Sequence, residues 1–221
     1  MNKLLLTLLV FALCACSSGD STTTKKVGYL FGDSVSANGG VCSELTNCPV
    51  YPDSGVELSK LTKTNITSLA TGGETTNNAI SGKPIIYNSE VITLKHTAFA
   101  KWLEVNKPDF IIIRYGAADA VLLGIQDNTY KNIKTMLSLT AAHGIKTYVV
   151  GINEFSYNQV YKFNALVLNG RIMDAAGESF IDVRGIPYSE SDTPDGIHPT
   201  KDYSDRLNEV IAARINFDLN K

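Results

Sequence analysis

Four consecutive apolar residues, Phe110-Ile111-Ile112-Ile113, constrain this chain more than any other stretch. A strand with one wet face alternates apolar and polar residues. An unbroken apolar run is expected of a strand covered on both faces, as in a parallel sheet. Comparable strand-like runs lie at Val27–Phe31, Asn65–Ala70, Thr147–Val150 and Ser179–Val183. Between them the spacing turns helical. Over Ser89–Val105, Val91, Leu94, Ala98 and Trp102 recur at helical intervals, and Pro108 stops the run. Asn128–His143 carries Ile133, Met136, Leu137 and Thr140 on one face, with Gly144 as its stop. Asn158–Ala176 ends at Gly177. Asp202–Phe217 gathers Leu207, Val210, Ile211 and Ile215 on its apolar side. Strands alternating with helices predict an α/β fold: a five-stranded parallel sheet between two helical layers. The segments Val41–Thr64 and Thr71–Asn88 are polar and poorly periodic. Both follow strand ends, where binding loops belong.

The 221 residues suffice for one domain with a sizeable core. A net charge of −2 with no basic run argues against a nucleic-acid face and against a polybasic membrane surface. The first residues read as a targeting segment. Met1-Asn2-Lys3 is a short positive region, and Leu4–Leu13 is apolar but too short to span a bilayer core of about 30 Å. Ser17–Lys26 is a polar tether. The division expected is a signal peptide over 1–15, a tether over 16–26 and one globular domain over 27–221, the cut before residue 16 being what a lipobox resemblance, given below, implies. Cys42 and Cys48 lie close together. In an exported, oxidising setting they would close a small disulfide loop. Metal binding is the weaker reading, because none of the three histidines stands at zinc spacing from these cysteines. No cofactor motif is present, and a monomer is expected.

The residues that follow each strand meet on one rim of a parallel sheet. After the first strand comes Gly32-Asp33-Ser34. After the second comes Thr71-Gly72-Gly73-Glu74-Thr75, after the third Gly116-Ala117-Ala118-Asp119, and after the fifth, beyond a loop, Asp195-Gly196-Ile197-His198-Pro199. A serine hydroxyl is a poor nucleophile at neutral pH. It needs a histidine to take its proton and an acid to hold that histidine's tautomer. Asp195 and His198 are close enough in sequence for one turn to join them. Glycine turns leave backbone N–H groups free to hold an oxyanion.

The blocks FGDSVSANGG, TGGETT, YGAAD and DGIHPT, in that order, resemble those of the SGNH (GDSL) hydrolase family. Lys107-Pro108-Asp109 before the third strand also resembles it. The resemblance covers nearly all of the chain after the tether. It implies a three-layer α/β/α sandwich of flavodoxin-like strand order and an acyl-serine mechanism without metal or cofactor. By position, Ser34 would be the nucleophile, His198 the general base and Asp195 its orienting acid. The N–H groups of Ser34 and Gly73 would form the oxyanion hole, Gly73 being preferred to Gly72 because the family glycine often precedes an acid and a Thr or Ser. The N-terminal Leu13-Cys14-Ala15-Cys16 resembles the lipobox of bacterial lipoproteins. That implies lipidation at Cys16 and an outer-membrane anchor facing periplasm or exterior; an ordinary cleaved secretory signal is the alternative.

One position departs from the family. Its asparagine falls on Ala118, which has no side-chain donor. Asn38, Asn77, Asn78 and Asn153 lie in or beside the rim loops and are candidate substitutes. Two functions stand side by side. One is an esterase acting on a glycan or lipid ester, with a lean toward small acyl groups on carbohydrate because no long apolar loop suggests an acyl tunnel. The other is a catalytically impaired lipoprotein that keeps the fold as a binding module. Acyl transfer through the same residues is a variant of the first. Plainer readings hold elsewhere: His96 as a surface or half-buried helical residue, His143 as a cation at a helix end, Trp102 as core, and Asp33 as a turn-former or a partner of the site. Phe155, Tyr157, Tyr161 and Phe163 could stack on substrate or simply fill the core.

Overall fold

The computed structural model describes residues 24–37, 53–87, 89–124, 127–153 and 159–221. The targeting segment, Cys16, Asn38, the Cys42–Cys48 pair, Phe155 and Tyr157 lie outside the described residues. Among the described residues, no helix is long and apolar enough to cross a membrane.

Strands β1 (Val27–Gly32), β2 (Asn65–Ser68), β5 (Phe110–Arg114), β6 (Lys146–Val150) and β7 (Phe180–Ile181) form one sheet in the order β2-β1-β5-β6-β7. All four pairings are parallel. The strand order reverses between β1 and β5. That is where an open α/β sheet presents its ligand crevice.

The apolar run is β5, the middle strand, with every residue buried. Its side chains alternate between two cores, as the pleat requires. Ile111 and Ile113 join Phe31, Phe99, Trp102, Ile133, Met136, Leu168 and Ile172 on one face. Phe31 is in β1, and the rest come from α3 (Phe99–Val105), α5 (Asp127–Ala142) and α6 (Gln159–Ala176). Phe110 and Ile112 join Leu30, Leu58, Tyr148, Val150, Leu207, Ile211 and Ile215 on the other, under α1 (Ser54–Thr62) and α7 (Lys201–Leu219). Burial of such a side chain contributes about 1.5–3 kcal/mol, so the two layers hold the sheet between them. Gly28 pairs with Phe110 across β1 and β5. A Cβ there would stand 2.3 Å from the Phe110 ring, so only glycine lets that ring lie over β1.

Two short helices were not legible in the sequence. α2 (Thr76–Ser81) starts with a capping box between Thr75 and Asn78. α4 (Ala117–Leu122) starts at Gly116. Three expectations need correction. The helix predicted over Ser89–Val105 begins only at Phe99. Its first part is the second strand of an antiparallel hairpin, β3 (Ile85–Tyr87) with β4 (Glu90–Ile92). The segment 71–88, read as a loop, carries α2 and the first strand of that hairpin. α1 likewise lies within 41–64, capped by the Asp53 carboxylate on Gly55 N at 2.8 Å.

Candidate active site

Ser34 comes two positions after the last residue of β1, at the start of the turn that follows Asp33. His198 and Asp195 arrive on the loop before α7, whose first turn Thr200 caps. The structure brings the three together. Ser34 Oγ lies 2.8 Å from His198 Nε2. His198 Nδ1 lies 2.5 Å from Asp195 Oδ2. The other oxygen, Asp195 Oδ1, accepts from the backbone N–H of Ile197 at 2.9 Å and of His198 at 2.7 Å. Both carboxylate oxygens are thus occupied and the aspartate cannot rotate away. Burial opposes its charge, but the hydrogen bonds from the His198 ring, His198 N and Ile197 N prevail and hold the carboxyl at about 2. Ionised Asp195 requires the Nδ1 proton to stay on the ring. That leaves Nε2 to accept from the Ser34 hydroxyl.

Gly72 and Gly73 face Ser34 across the same cleft. Gly73 takes φ +75, a left-handed conformation that a side chain would strain, although a Cβ would meet nothing closer than Ile85 at 3.9 Å. It is the backbone conformation, not crowding, that calls for glycine. No hydrogen bond among the described residues uses the N–H of Ser34 or Gly73.

Asp33 ties the serine turn to the turn after β5. Its Oδ1 accepts from Val35 N at 3.1 Å, and its Oδ2 from Ala117 N at 2.9 Å and Ala118 N at 3.2 Å. Burial lifts Asp33 to about 6 against the pull of those N–H donors, with Asp119 adding repulsion and Arg114 attraction. The raised value means the folded chain binds this proton more tightly than the unfolded chain. Asp33 therefore contributes most below about pH 4, and its contribution declines as pH rises toward about 6. Asp33→Asn places an NH₂ where an acceptor of two N–H groups stood. The expected loss is about 1–3 kcal/mol, read as a lower urea midpoint at unchanged slope, together with a flatter dependence of that midpoint between about pH 4 and 6.

The cleft has a volume of about 280 Å³. Ile85, Ile86, Tyr87 and Ile92 of the hairpin form one wall, and Val121 and Leu122 of α4 another. Sequence reasoning missed the hairpin wall. The lean toward a small acyl group rested on the lack of an apolar loop, and the apolar wall removes that premise. Ala118 lines the cleft together with Ser34 and Gly73. Its N–H is engaged by Asp33 and its methyl group donates nothing. None of the described candidate asparagines replaces it. Asn77 accepts from Asn132 at 2.8 Å, Asn78 caps α2, and Asn153 lies in a small cavity with Asp33 and Arg114 rather than in the cleft. Tyr161 is buried in the core, and neither it nor exposed Phe163 lines the cleft. Among the described residues, no cluster of three or more potential metal ligands occurs.

His96 is a further correction. It lies outside any helix, and its ring is fully buried. Its Nε2 stands 2.8 Å from Glu74 Oε1, whose other partner is the Tyr115 hydroxyl at 2.6 Å. His143 does sit at a helix end, with Nδ1 against Leu139 O at 2.8 Å, and Trp102 is core.

The fold and site together define a class: a doubly wound α/β protein with a serine, histidine and aspartate joined at its switch point. No family model matches the sequence, and no curated protein matches it. Solved structures do match. A carbohydrate acetylesterase family member from Sinorhizobium meliloti superposes with a TM-score of 0.68 at 15% identity, over 89% of this chain and 100% of that one. A lipase/acylhydrolase from Enterococcus faecalis gives 0.66 at 17% identity, over 87% and 96%. The inhibitor-bound aryl esterase of M. smegmatis gives 0.65 at 15% identity, over 87% and 99%. The chain has the SGNH/GDSL hydrolase fold, with its five-stranded parallel sheet and helices on both faces.

Proposed function

We propose that this chain is an SGNH-family serine esterase of the cell envelope that cleaves carboxylic esters through an acyl-Ser34 intermediate. The observation that carries this reading is the unbroken relay from Ser34 Oγ through the His198 ring to Asp195. Ser34 Oγ attacks the ester carbonyl while His198 Nε2 takes its proton. The resulting imidazolium is steadied by ionised Asp195, and the oxyanion is held by the N–H groups of Ser34 and Gly73. Collapse expels the alcohol, which receives the proton from His198. Water, deprotonated by the same Nε2, then attacks the acyl group, releases the carboxylic acid and restores the serine.

An ester with an apolar acyl part and a carbohydrate or lipid alcohol fits the reading. The acyl part would lie along Ile85, Ile86, Val121 and Leu122, and the acetylesterase and acylhydrolase relatives support either alcohol. Anchoring through Cys16 rests on the lipobox-like residues and would place the site at the membrane surface. Ala118 favours a second reading, a fold retained for binding alone. The experiment that separates them compares the domain with its Ser34→Ala variant. A fluorophosphonate probe should label the first and not the second, and p-nitrophenyl acetate and butyrate turnover should vanish in the second. Equal rates in both proteins would end the esterase reading. Ester product formed when a sugar alcohol competes with water would mark acyl transfer.

A further inference from the structure

The oxyanion glycine is followed by a buried ionisable cluster that the reaction as written does not use. Glu74, His96 and Tyr115 come from three segments: the turn after β2, the loop before α3, and the end of β5. All three side chains are buried. Glu74 Oε1 receives both the Tyr115 hydroxyl, at 2.6 Å, and His96 Nε2, at 2.8 Å. Glu74 Oε2 has no hydrogen-bond partner. On the far side of the ring, His96 Nδ1 lies 2.6 Å from the carbonyl oxygen of Thr97. A neutral imidazole could donate to only one of these two acceptors. The charged ring donates to both.

We propose that Glu74 and His96 form a buried ion pair that positions the Gly73 N–H for the oxyanion, with Tyr115 as a neutral brace. The role rests on the esterase reading above. A carboxylate with one oxygen unpartnered is costly away from water unless a counter-charge compensates it. His96 supplies that charge. If the ring loses its proton, Glu74 is left as an uncompensated anion, and the turn that carries it must shift. Gly73 is the adjacent residue, held at φ +75. The other end of the turn cannot yield, because Thr76 is tied to Asp119 through its N–H at 3.1 Å and its hydroxyl at 2.6 Å. Displacement therefore falls on Gly73.

The groups facing the pair are few. Tyr115 lies 3.5 Å from His96 Nε2. Burial keeps its phenol protonated well above the usual range, and Glu74, Asp33 and Asp119 push the same way. Phe31 of β1 meets the His96 ring edge-on at 4.9 Å. Lys95, next in sequence, turns outward to Asp53 at 3.9 Å. Burial opposes the charge on His96, and the hydrogen bond and charge of Glu74 raise it above the ordinary imidazole value nonetheless.

The test compares the wild-type domain with His96→Gln and Tyr115→Phe, each first shown to melt cooperatively. Wild-type kcat/KM for p-nitrophenyl butyrate should rise along an acid limb, then fall on the alkaline side as His96 loses its proton. His96→Gln should lower the neutral-pH value about tenfold to a hundredfold, short of the loss of a whole oxyanion donor. It should also abolish the alkaline fall while keeping the acid limb. Tyr115→Phe should keep both limbs. In ¹⁵N-labelled protein the Gly73 amide resonance should move with the His96 ring titration, and be still in His96→Gln. An alkaline limb that survives His96→Gln, or a Gly73 amide blind to the titration, overturns the proposal. Wild-type protein without Ser34-dependent turnover would instead sink the esterase reading, and this role with it.

Discussion

His198→Ala is expected to lower kcat for p-nitrophenyl acetate by about 10⁴- to 10⁶-fold, the range seen when a triad base is removed. The size follows from the lack of a substitute. The chain has three histidines. His96 is sealed in the core against Glu74, and His143 sits at the end of α5, spent on a helix carbonyl. Without His198 the Ser34 proton has nowhere to go, and the alcohol has no acid to leave with. Asp195→Asn should cost about 10⁴ through the wrong tautomer. An asparagine amide in place of Oδ2 would donate to Nδ1, so Nδ1 would have to accept and Nε2 would carry the proton. Melting temperatures of both variants should stay near that of the wild type, since the loop is partly exposed. Turnover within tenfold of wild type in His198→Ala would show that the Ser34–His198 contact is not the working one.

The second large effect runs upward. Ala118→Asn is expected to raise kcat by about 10²–10³, the usual worth of one oxyanion donor, with KM little changed. Ala118 lines the same cleft as Ser34 and Gly73, so a longer side chain there would enter the space that the ester occupies in the proposed reaction. Its own N–H already serves Asp33, and no described asparagine reaches the cleft in its place. The hole as proposed has two backbone donors and lacks a third. A new amide in that place would strengthen only as the carbonyl oxygen gains charge, which is why the gain should appear in kcat. No change in rate, in a variant that melts normally, would mean the hole is already complete.

The site was largely legible because its residues lie in the segments that follow strands. A parallel sheet delivers every strand end to one rim, so Ser34, Gly73 and Ala118 could be placed from the strand pattern alone. His198 and Asp195 needed only the knowledge that one chain end returns there. The hairpin at Ile85–Ile92 was not legible. Val91, Leu94, Ala98 and Trp102 satisfy a helical period by chance, and a short apolar stretch fits either period. Tertiary packing over the cleft decided it. His96 was misread for a related reason. The polar partners that hold its ring inside, Glu74 and Tyr115, lie 22 and 19 positions away and leave no local sign. The short edge strand β7, Phe180–Ile181, is only part of the run Ser179–Val183, because a single neighbour, β6, pairs with it.

Ser34 and His198 are separated by 164 positions, nearly the whole of the domain. Closing so long a span carries an entropic cost that local contacts cannot offset early. A nascent polypeptide still lacking its last helix would hold the serine without its base. The Ser34–His198 contact can form only once the segment just before α7 reaches the rim of the sheet.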